Sequence, residues 1–495
     1  MASSVLPATS LGLPASLDYK LPPSLSADSK AYWVSIAPDS LQSVSSAAVP
    51  IGTTAVATSQ LNAFNSQIVA FTIPTGSSRS VFCDCRETTL NFRLAINITT
   101  GTNAAMTFHN LISSSQSFWD SLTLYSNNIP IEQVQSYNIL ANQLLMATVN
   151  SAEKLGGCAV AMGCDVNSAT GVDLPPGNTV GITYYNFSIP LISVIGINNP
   201  NHMFPVGAIS NLQLQMQTAA LLPFSSYNTA ALTNAGVMTV TLDQFALNLK
   251  YIDIGMDSAR LLYSTLNEGK IFMKTSTWVQ SSANIAASAL GQQNLLYQIR
   301  NSSLKSLLIQ NSCPNAGATN VISPNGSYDA LNMGVTSFNV SVGGINFPQR
   351  PIDPSRRPAE AFMAYLSALG FSGDFKKYGG YITRSSYGAS ANITGITNVD
   401  SSMVVPAASV RNESSLIANT QPCVSFPSCH FLGIDFERSA GILFSGVNTR
   451  SSPPVGNYYI GCTTALPNSV TSYAFGLVDC VLVVDTMSQT IQAFV

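Results

Sequence analysis

A short pattern occurs twice in the chain, once from position 121 and once from position 337. The two copies are SLTLYSNNI, at Ser121–Ile129, and SFNVSVGGI, at Ser337–Ile345. Each begins with the alternating apolar and polar residues of a half-buried β-strand. Each then reaches a two-residue turn at the same offset, Asn127-Asn128 or Gly343-Gly344. Because Asn and Gly tolerate the positive φ angles of tight turns, both copies predict a β-hairpin.

The same order of features continues after each hairpin, with an isoleucine, a stretch containing proline and one predicted helix. The first helix has residues of one face at spacings of three and four, at Val134, Tyr137, Ala141, Leu144 and Thr148. The second begins at Pro358 and stops at Gly370, with a stripe at Phe362, Tyr365, Leu366 and Leu369. A unit of this length that occurs twice predicts a duplicated β domain, with each helix covering one side of its domain.

Strands with period two fill much of the remaining chain. They are predicted at Leu90–Ile98, Tyr185–Leu191, Leu212–Gln217, Met238–Tyr251, Ile271–Val279, Leu304–Ile309, Leu432–Phe436 and Ala474–Thr486. A phase slip at Asp243-Gln244 predicts a β-bulge within one of them. The apolar run at Cys480–Val484 predicts a strand in the centre of its sheet.

The division of the chain follows from these patterns. Residues 1–60 are rich in Ser, Ala, Pro and Leu without a sustained period, which predicts an extended N-terminal arm. A first β domain is predicted over 61–255, a connector with a short helix over 256–268, and a second β domain over 269–495. Stretches near 150–178, 310–332 and 372–428 are rich in Gly, Ser and Asn and predict long loops at one end of the domains.

Charged residues are scarce in this chain. They make up 9 % of it, against roughly 25 % in an average soluble domain, and the net charge is −3. The basic pairs Arg356-Arg357 and Lys376-Lys377 are too small to neutralise several phosphates, which argues against direct nucleic-acid binding. A polar but uncharged surface suits contact with other protein surfaces, because desolvating an ion is costly. A secreted β-rich protein with Ser- and Thr-rich loops is the alternative.

The sequence shows no group of residues arranged for catalysis. None of the three histidines, His109, His202 and His430, lies beside a recognisable nucleophile motif. Two cysteine groups, Cys83-Asp84-Cys85 and Cys423 to His430, lack the second nearby pair that structural zinc sites use. We therefore expect small buried cysteines, no catalytic or metal-binding residue, and no cofactor.

The chain also lacks signals for export or for a membrane span. Its amino terminus has neither a basic start nor an apolar core, and no apolar run approaches ~18 residues. With nine cysteines, this predicts a soluble protein with reduced thiols. Glycosylation sequons are attributed to chance in a chain rich in Asn, Ser and Thr, and occur at Asn97, Asn186, Asn301, Asn325, Asn339, Asn392 and Asn412.

Two segments of the chain resemble parts of a known family. Trp119–Leu145 (WDSLTLYSNNIPIEQVQSYNILANQLL) resembles the strand, turn and helix in the first barrel of double jelly-roll major capsid proteins. Phe338–Leu369, with its run GGINFPQRPI, resembles the corresponding part of the second barrel. The likeness is to capsid proteins of small double-stranded DNA viruses, the polinton-like viruses and virophages.

The resemblance implies an all-β fold of two tandem eight-stranded antiparallel jelly rolls, each with a short accessory helix. It also implies a homotrimer that forms a pseudo-hexameric capsomer, because two barrels in each of three subunits make six. Such capsomers tile the icosahedral shell of a virion assembled inside the host cell. The expected partners are neighbouring capsomers, penton proteins and minor capsid proteins, with no direct nucleic-acid contact and with membrane contact left open. The resemblance implies no catalytic residue and an N-terminal arm at the base of the capsomer.

Two other functions remain as alternatives. The first is a jelly-roll carbohydrate-binding or adhesin surface protein, for which Tyr378 and Tyr381 beside Asp374 are the candidate residues. The second is an enzyme on a β-sandwich, such as a glycosidase with two carboxylates, although nothing in the sequence selects a pair.

Overall fold

A computed structural model of the chain describes residues 29–46, 49–51, 66–75, 79–98, 106–111, 114–149, 157–163, 181–199, 202–220, 224–228, 236–265, 269–312, 328, 330–371, 382, 387, 429–438, 444–461 and 469–494. The long loops predicted near 150–178, 310–332 and 372–428 lie largely outside these residues. No helix in the described ranges has both the length and the apolar character needed to cross a membrane.

Within the described residues, the first half of the chain forms twelve strands. They are β1 Lys30–Ile36, β2 Ser43–Ser45, β3 Val49–Ile51, β4 Ile68–Ile73, β5 Val81–Ile98, β6 Met106–Leu111, β7 Trp119–Ser126, β8 Ile129–Val134, β9 Gly181–Pro190, β10 Leu212–Thr218, β11 Phe224–Asn228 and β12 Gly236–Asp253. Helix α1, Tyr137–Thr148, and the short helix α2, Ala159–Met162, lie between β8 and β9. Two 3₁₀ turns occur at Ser115–Phe118 and Val206–Ala208.

The second half follows helix α3, Met256–Thr265, which is the predicted connector helix. Its strands are β13 Lys270–Ile285, β14 Gly291–Leu296, β15 Leu304–Ser312, β16 Val335–Val342, β17 Ile345–Ile352, β18 Leu432–Asp435, β19 Val455–Ile460, β20 Val470–Asp485 and β21 Thr490–Phe494. Helix α4, Pro358–Ala368, lies between β17 and β18.

Both halves have the same sheet topology. The first half has sheets of order β1-β12-β5-β9 and β4-β10-β7-β8, and the second has β13-β20-β15-β18 and β14-β19-β16-β17. If the eight principal strands of each half are lettered B to I in chain order, both halves give the orders B-I-D-G and C-H-E-F. All of these pairings are antiparallel, so each half is a jelly roll. The predicted fold class is confirmed, including a helix directly after strand F of each barrel, α1 in the first and α4 in the second.

The repeated pattern that predicted the duplication is the hairpin between strands E and F. Ser126 pairs with Ile129 across one turn, and Val342 pairs with Ile345 across the other. Asn127 and Asn128 have φ angles of 50° and 64°, and Gly343 and Gly344 have 59° and 83°. Both turns therefore use two left-handed residues, which is the geometry that lets a tight turn follow the twist of the strands.

Several other local predictions are confirmed. The register of β12 against β5 shifts between Asp243 and Ala246, and Gln244 has a φ of 52°, which is the predicted bulge. Strand β20 pairs with β13 on one side and with β15 and β21 on the other, so it is central as predicted. Helix α4 begins at Pro358 and buries Tyr365 and Leu366 of its predicted stripe.

The prediction for residues 1–60 needs correction where the structure describes them. β1, β2 and β3 all pair with β12, so residues 30–51 contribute to the first barrel and not to a free arm. β1 lies at the edge of its sheet, and five of its seven residues are exposed. It therefore lacks the alternation of buried and exposed residues on which the sequence argument depends. Residues 1–28 lie outside the described ranges.

The prediction for the first helix was wrong at its start. Val134 belongs to strand β8, and the helix begins at Tyr137 after Ser136, whose φ is 47°. Ten of the 12 residues of α1 are buried, so the helix has no broad solvent face. The reason is that the second barrel packs over the side of α1 that an isolated barrel would expose to water.

We predict that the turn Gly343-Gly344 depends on backbone conformation alone. A Cβ added at Gly344 meets no atom within 4 Å, but Gly344→Val would place a β-branched residue at φ 83°, which costs about 1–3 kcal/mol. Denaturant unfolding of the variant would measure this loss. Gly344→Asn is the matched control and should cost much less, because Asn128 occupies the equivalent position at φ 64°. An equal loss in both variants would contradict this account.

Candidate functional site at the junction of the two barrels

The hydrophobic core of the first barrel continues into the second barrel. A single cluster of buried apolar side chains includes the interior of the first barrel together with Trp278, Leu308, Phe431 and Phe475 of the second. A separate cluster fills the interior of the second barrel, around residues such as Phe338 and Tyr458. We call the shared region the barrel junction, formed by β8, α1 and residues 193–198 of the first barrel and by β13, Tyr328, α4 and residue 489 of the second. Because it is a continuous core, the barrels form one packed unit.

A buried carboxyl group lies within the barrel junction. Glu132 of β8 is 3 % exposed and accepts hydrogen bonds from the Ser193 hydroxyl, from the Val194 backbone N–H at 2.9 Å and from the Thr277 hydroxyl at 2.7 Å. Ser193 and Val194 follow β9 in the first barrel, whereas Thr277 belongs to β13 in the second. One side chain therefore bridges the barrels through three donors.

The electrostatic setting of Glu132 differs from that of the other buried acids. Asp479, 1 % exposed, lies 3.5 Å from Lys305, and Asp353 and Asp84 each contact an arginine. Within the described residues, no ion pair includes Glu132. Burial raises the pKa of Glu132 above its ordinary 4.5, and its three hydrogen-bond donors oppose that rise without cancelling it.

Tyr328 of the second barrel is bound by the first barrel from several sides. Its hydroxyl accepts a hydrogen bond from Asn138 Nδ2 at 3.0 Å and donates to the Ser117 carbonyl at 3.3 Å. Its own backbone carbonyl accepts from Asn142 Nδ2 at 3.2 Å. Asn138 and Asn142 are four residues apart on α1 and so lie on the same face of the helix. Helix α1 is thereby fixed to a residue of the other barrel, and burial raises the pKa of the Tyr328 hydroxyl.

Three further contacts extend the barrel junction. Thr275 of β13 donates to the Asn198 carbonyl at 3.2 Å, and the Tyr365 hydroxyl of α4 donates to the Gln143 carbonyl at 3.5 Å. At the rim, the backbone N–H and the hydroxyl of Ser210 both donate to the Gln489 carbonyl, at 2.9 and 3.0 Å. Gln489 lies in the turn between β20 and β21, so the last hairpin of the chain also contacts the first barrel.

The histidines and cysteines considered in the sequence have structural settings. His430 is 1 % exposed, its Nδ1 lies 2.9 Å from the Tyr387 carbonyl, and burial lowers its pKa to about 4, so the ring is neutral near pH 7. His202 is exposed, and His109 lies in β6. Cys83 and Cys85 are buried and not disulfide-bonded, and burial raises the pKa of Cys83 to about 12. In the described ranges no group of three or more His, Cys, Asp or Glu residues is placed to hold a metal ion.

The other residues named from the sequence divide into two groups. Arg356 and Arg357 each lie 3.0 Å from an acid, Asp353 and Glu360 respectively, so this basic pair is locally neutralised. Among the sequons, Asn97 and Asn186 lie in paired strands, and Asn301 and Asn339 are each 8 % exposed. Outside the described residues lie Lys376-Lys377, Asp374, Tyr378, Tyr381, Cys423, Asn325, Asn392 and Asn412.

The central strands of both C-H-E-F sheets have outward faces without charge. On β10 these positions are Gln213, Gln215 and Gln217, and on β7 they are Ser121, Thr123 and Tyr125. The equivalent positions of the second barrel are Val455, Asn457 and Tyr459 on β19 and Ser337, Asn339 and Ser341 on β16. Their polar groups bind one another across strands, as Asn457 Nδ2 does to Asn339 Oδ1 at 2.8 Å and Ser121 Oγ to Gln217 Oε1 at 3.0 Å. The scarcity of charge in the composition thus appears on the outward positions of these four central strands.

Solved structures with the same architecture are viral capsid proteins. A model of the PBCV-1 virus capsid matches with a TM-score of 0.52 and 12 % identity, covering 96 % of this chain and 98 % of that one. The mavirus major capsid protein matches with a TM-score of 0.50 and 10 % identity, covering 100 % of this chain and 95 % of that one. This chain has the fold of the double jelly-roll capsid proteins. No family model and no curated protein matches the sequence.

Sequence reasoning did not find the residues of the barrel junction. Glu132 is an isolated acid in the strand IPIEQV. An acid in such a strand is ordinarily expected to face solvent. Tyr328 lies in a stretch without periodic pattern, and β21 was not predicted. One signal in the sequence could have indicated that Glu132 is buried: it lies between the apolar residues Ile131 and Val134 of β8.

We predict a pH-dependent contribution of Glu132 to stability. Below pH 4.5 the carboxyl is protonated in both the folded and the unfolded chain. As the pH rises above 4.5, the unfolded chain releases this proton first, so the contribution to the free energy of unfolding falls until the raised pKa is passed. Glu132→Gln cannot ionise and keeps an acceptor oxygen, so it should gain stability relative to the natural chain as the pH rises.

Denaturant unfolding between pH 5 and pH 9 would measure this difference. The control is Glu132→Ala, which leaves two hydroxyls and one backbone N–H of the junction unpaired and should cost about 2–4 kcal/mol across the range. If the glutamine variant lost as much stability as the alanine variant at every pH, the carboxyl would act as a required anion, contrary to this prediction.

We also predict that Tyr328→Phe weakens the barrel junction. The change removes the partner of the Asn138 amide and of the Ser117 carbonyl, and it should lower the free energy of unfolding by about 1–3 kcal/mol. Tyr459→Phe is the matched control, because Tyr459 is 51 % exposed on an outer sheet face, and its effect should stay within about 0.5 kcal/mol. Thermal unfolding of the natural chain, Tyr328→Phe and Tyr459→Phe would measure these effects. Equal midpoints in all three would contradict the role given to Tyr328.

Proposed function

We propose that this chain is the major capsid protein of a double-stranded DNA virus. Three copies form a homotrimeric, pseudo-hexameric capsomer, and capsomers tile an icosahedral shell. The observation that carries the proposal is the pair of barrels with identical strand order, fused through a common core. A rigid unit that presents two equivalent barrels gives six barrels in a closed ring of three copies.

The structures that share the fold support the same conclusion. The matched proteins are described as a PBCV-1 virus capsid and a mavirus major capsid protein, and the match extends over nearly the whole of each chain. A fold alone does not assign a function. Here it is joined by the uncharged outer sheet faces, which can be buried between copies without the cost of desolvating ions.

The proposal assigns roles to the parts of the chain. The first barrel extends over 61–255 together with β1–β3, the connector covers 256–268 and the second barrel covers 269–495. The protein is located in the capsid shell of the virion, and its partners are other copies of itself, penton proteins and minor capsid proteins. Its role is mechanical, so it needs no catalytic residue, metal or cofactor and makes no direct contact with nucleic acid.

We predict that the purified full-length chain is a stable trimer. Light scattering after size-exclusion chromatography should give three times the monomer mass of 52.3 kDa at micromolar concentration. Negative-stain images should show particles with a hexagonal outline, and each subunit interface should bury well over ~2,000 Å², the class of permanent assemblies. A folded monomer at that concentration would overturn the proposal, and selective binding on a glycan array would favour the adhesin alternative.

A further inference from the structure

The chain contains its own example of how two of its barrels join. Strand β8, which is strand F of the first barrel, lies against β13, which is strand B of the second, and the two are joined by the Glu132–Thr277 hydrogen bond. Residues at this contact are buried, among them Ile131 and Glu132 on β8 and Met273 and Thr275 on β13. β8 and β13 belong to different sheets and share no strand pairing, so the contact consists of side chains.

Within the described residues, the equivalent strands of the other pair do not pack on the other barrel as β8 packs on β13. Strand F of the second barrel is β17, and strand B of the first barrel is β1. β1 exposes Tyr32 by 44 % and Trp33 by 59 %, and β17 exposes Ile345 by 59 %. Each is the last strand of its sheet and pairs with a single neighbour, β12 for β1 and β16 for β17.

The helices after strand F show the same difference in burial. Ten of the 12 residues of α1 are buried, whereas only five of the 11 residues of α4 are buried, and Met363 of α4 is 47 % exposed. The two barrels share one topology, so this difference does not come from the barrel fold itself. It arises because the second barrel covers strand F and α1 of the first barrel, whereas α4 contacts the first barrel through Tyr365 and leaves the side with Met363 exposed.

We propose that strand β17 of one copy packs on strand β1 of the next copy, repeating between chains the contact that β8 and β13 make within the chain. This rests on the proposed capsid function and names the surface through which the copies associate. The contact is head to tail, because different surfaces of the two copies meet. A ring of three copies then alternates three contacts within chains with three between chains, and every F strand meets a B strand.

The chemistry of the two strands fits this contact. Trp33 and Tyr32 are large side chains of the kind that dominate interface energies when buried. β17 contains Pro348 and Pro351, which have no backbone N–H, so it is poorly suited to extend a sheet by hydrogen bonds. We therefore expect β17 to contact its partner strand through side chains, as β8 contacts β13. The exposed Ile345 and Pro351 supply apolar surface for the exposed ring of Trp33.

Cross-linking between introduced cysteines, with the native cysteines kept, tests the proposal on the whole chain. Ser35→Cys on β1 and Gln349→Cys on β17 both change exposed residues. With a short bis-maleimide, the two variants mixed and reassembled should give covalent dimers, each variant alone should give none, and the double variant should give covalent trimers. In the matched control, Gln292→Cys takes the place of Gln349→Cys. Gln292 is an exposed residue of β14, another edge strand, and this variant should give no cross-link with Ser35→Cys. The unsubstituted chain measures the background from native cysteines.

The possible results separate this inference from the proposed function. Covalent dimers from either variant alone would show a symmetric contact and overturn the head-to-tail arrangement. A trimer by light scattering without cross-links between the two positions would overturn the inference and leave the capsid proposal standing. A monomer would overturn both.

A second variant tests the interface without added cysteines. Trp33→Glu places a charge on an exposed residue, so it should shift the protein from trimer to monomer while the monomer keeps its strand content by circular dichroism. The matched control is Ile182→Glu, at a residue 53 % exposed on β9, the opposite edge of the same sheet, and it should remain trimeric. Retention of the trimer in Trp33→Glu would contradict a contact through β1.

Discussion

The barrel junction is the constraint on which the rest of this structure depends. A two-barrel chain joined only by a connector helix would be two domains free to move, as small and polar interdomain contacts usually allow. Here the connector α3 is accompanied by a continuous apolar cluster, and hydrogen bonds from β8 and α1 reach residues of the second barrel. The relative position of the barrels is therefore set by packing, and packed interiors yield little without a large cost.

A polar group buried at such a junction affects which relative arrangement of the two barrels is favoured, as well as the stability of the chain. Glu132 has its acceptors satisfied by donors from both barrels, so a shifted arrangement of the barrels would leave a carboxyl group buried without partners. That penalty is larger than the net gain from the hydrogen bonds themselves. Apolar packing alone would tolerate small displacements more readily. The acid thus selects one arrangement from several that the apolar surfaces would permit.

The sequence predicted the features whose causes are local and missed those whose causes are distant. The two hairpins follow from turn residues next to alternating strands, and the bulge follows from a phase slip within a single strand. β1 was missed because an exposed edge strand has no burial pattern of its own, and its partner β12 lies more than 200 positions away. The burial of α1 was missed because the residues that cover it belong to the other half of the chain. The periodicity of residues 134–148 could not predict that Tyr328, almost 200 positions away, packs on this helix.

The duplication has a consequence for how such a protein can change over generations. In a ring of six identical barrels, any substitution on strand F alters all six contacts at once. In this chain the two copies of that strand have already diverged, to IPIEQV in β8 and INFPQRPI in β17. Mutation can therefore change the contact of β8 inside the chain without changing β17, the strand proposed to join one copy to the next. Two separate F strands in one chain thus allow selection to act on each of these surfaces independently.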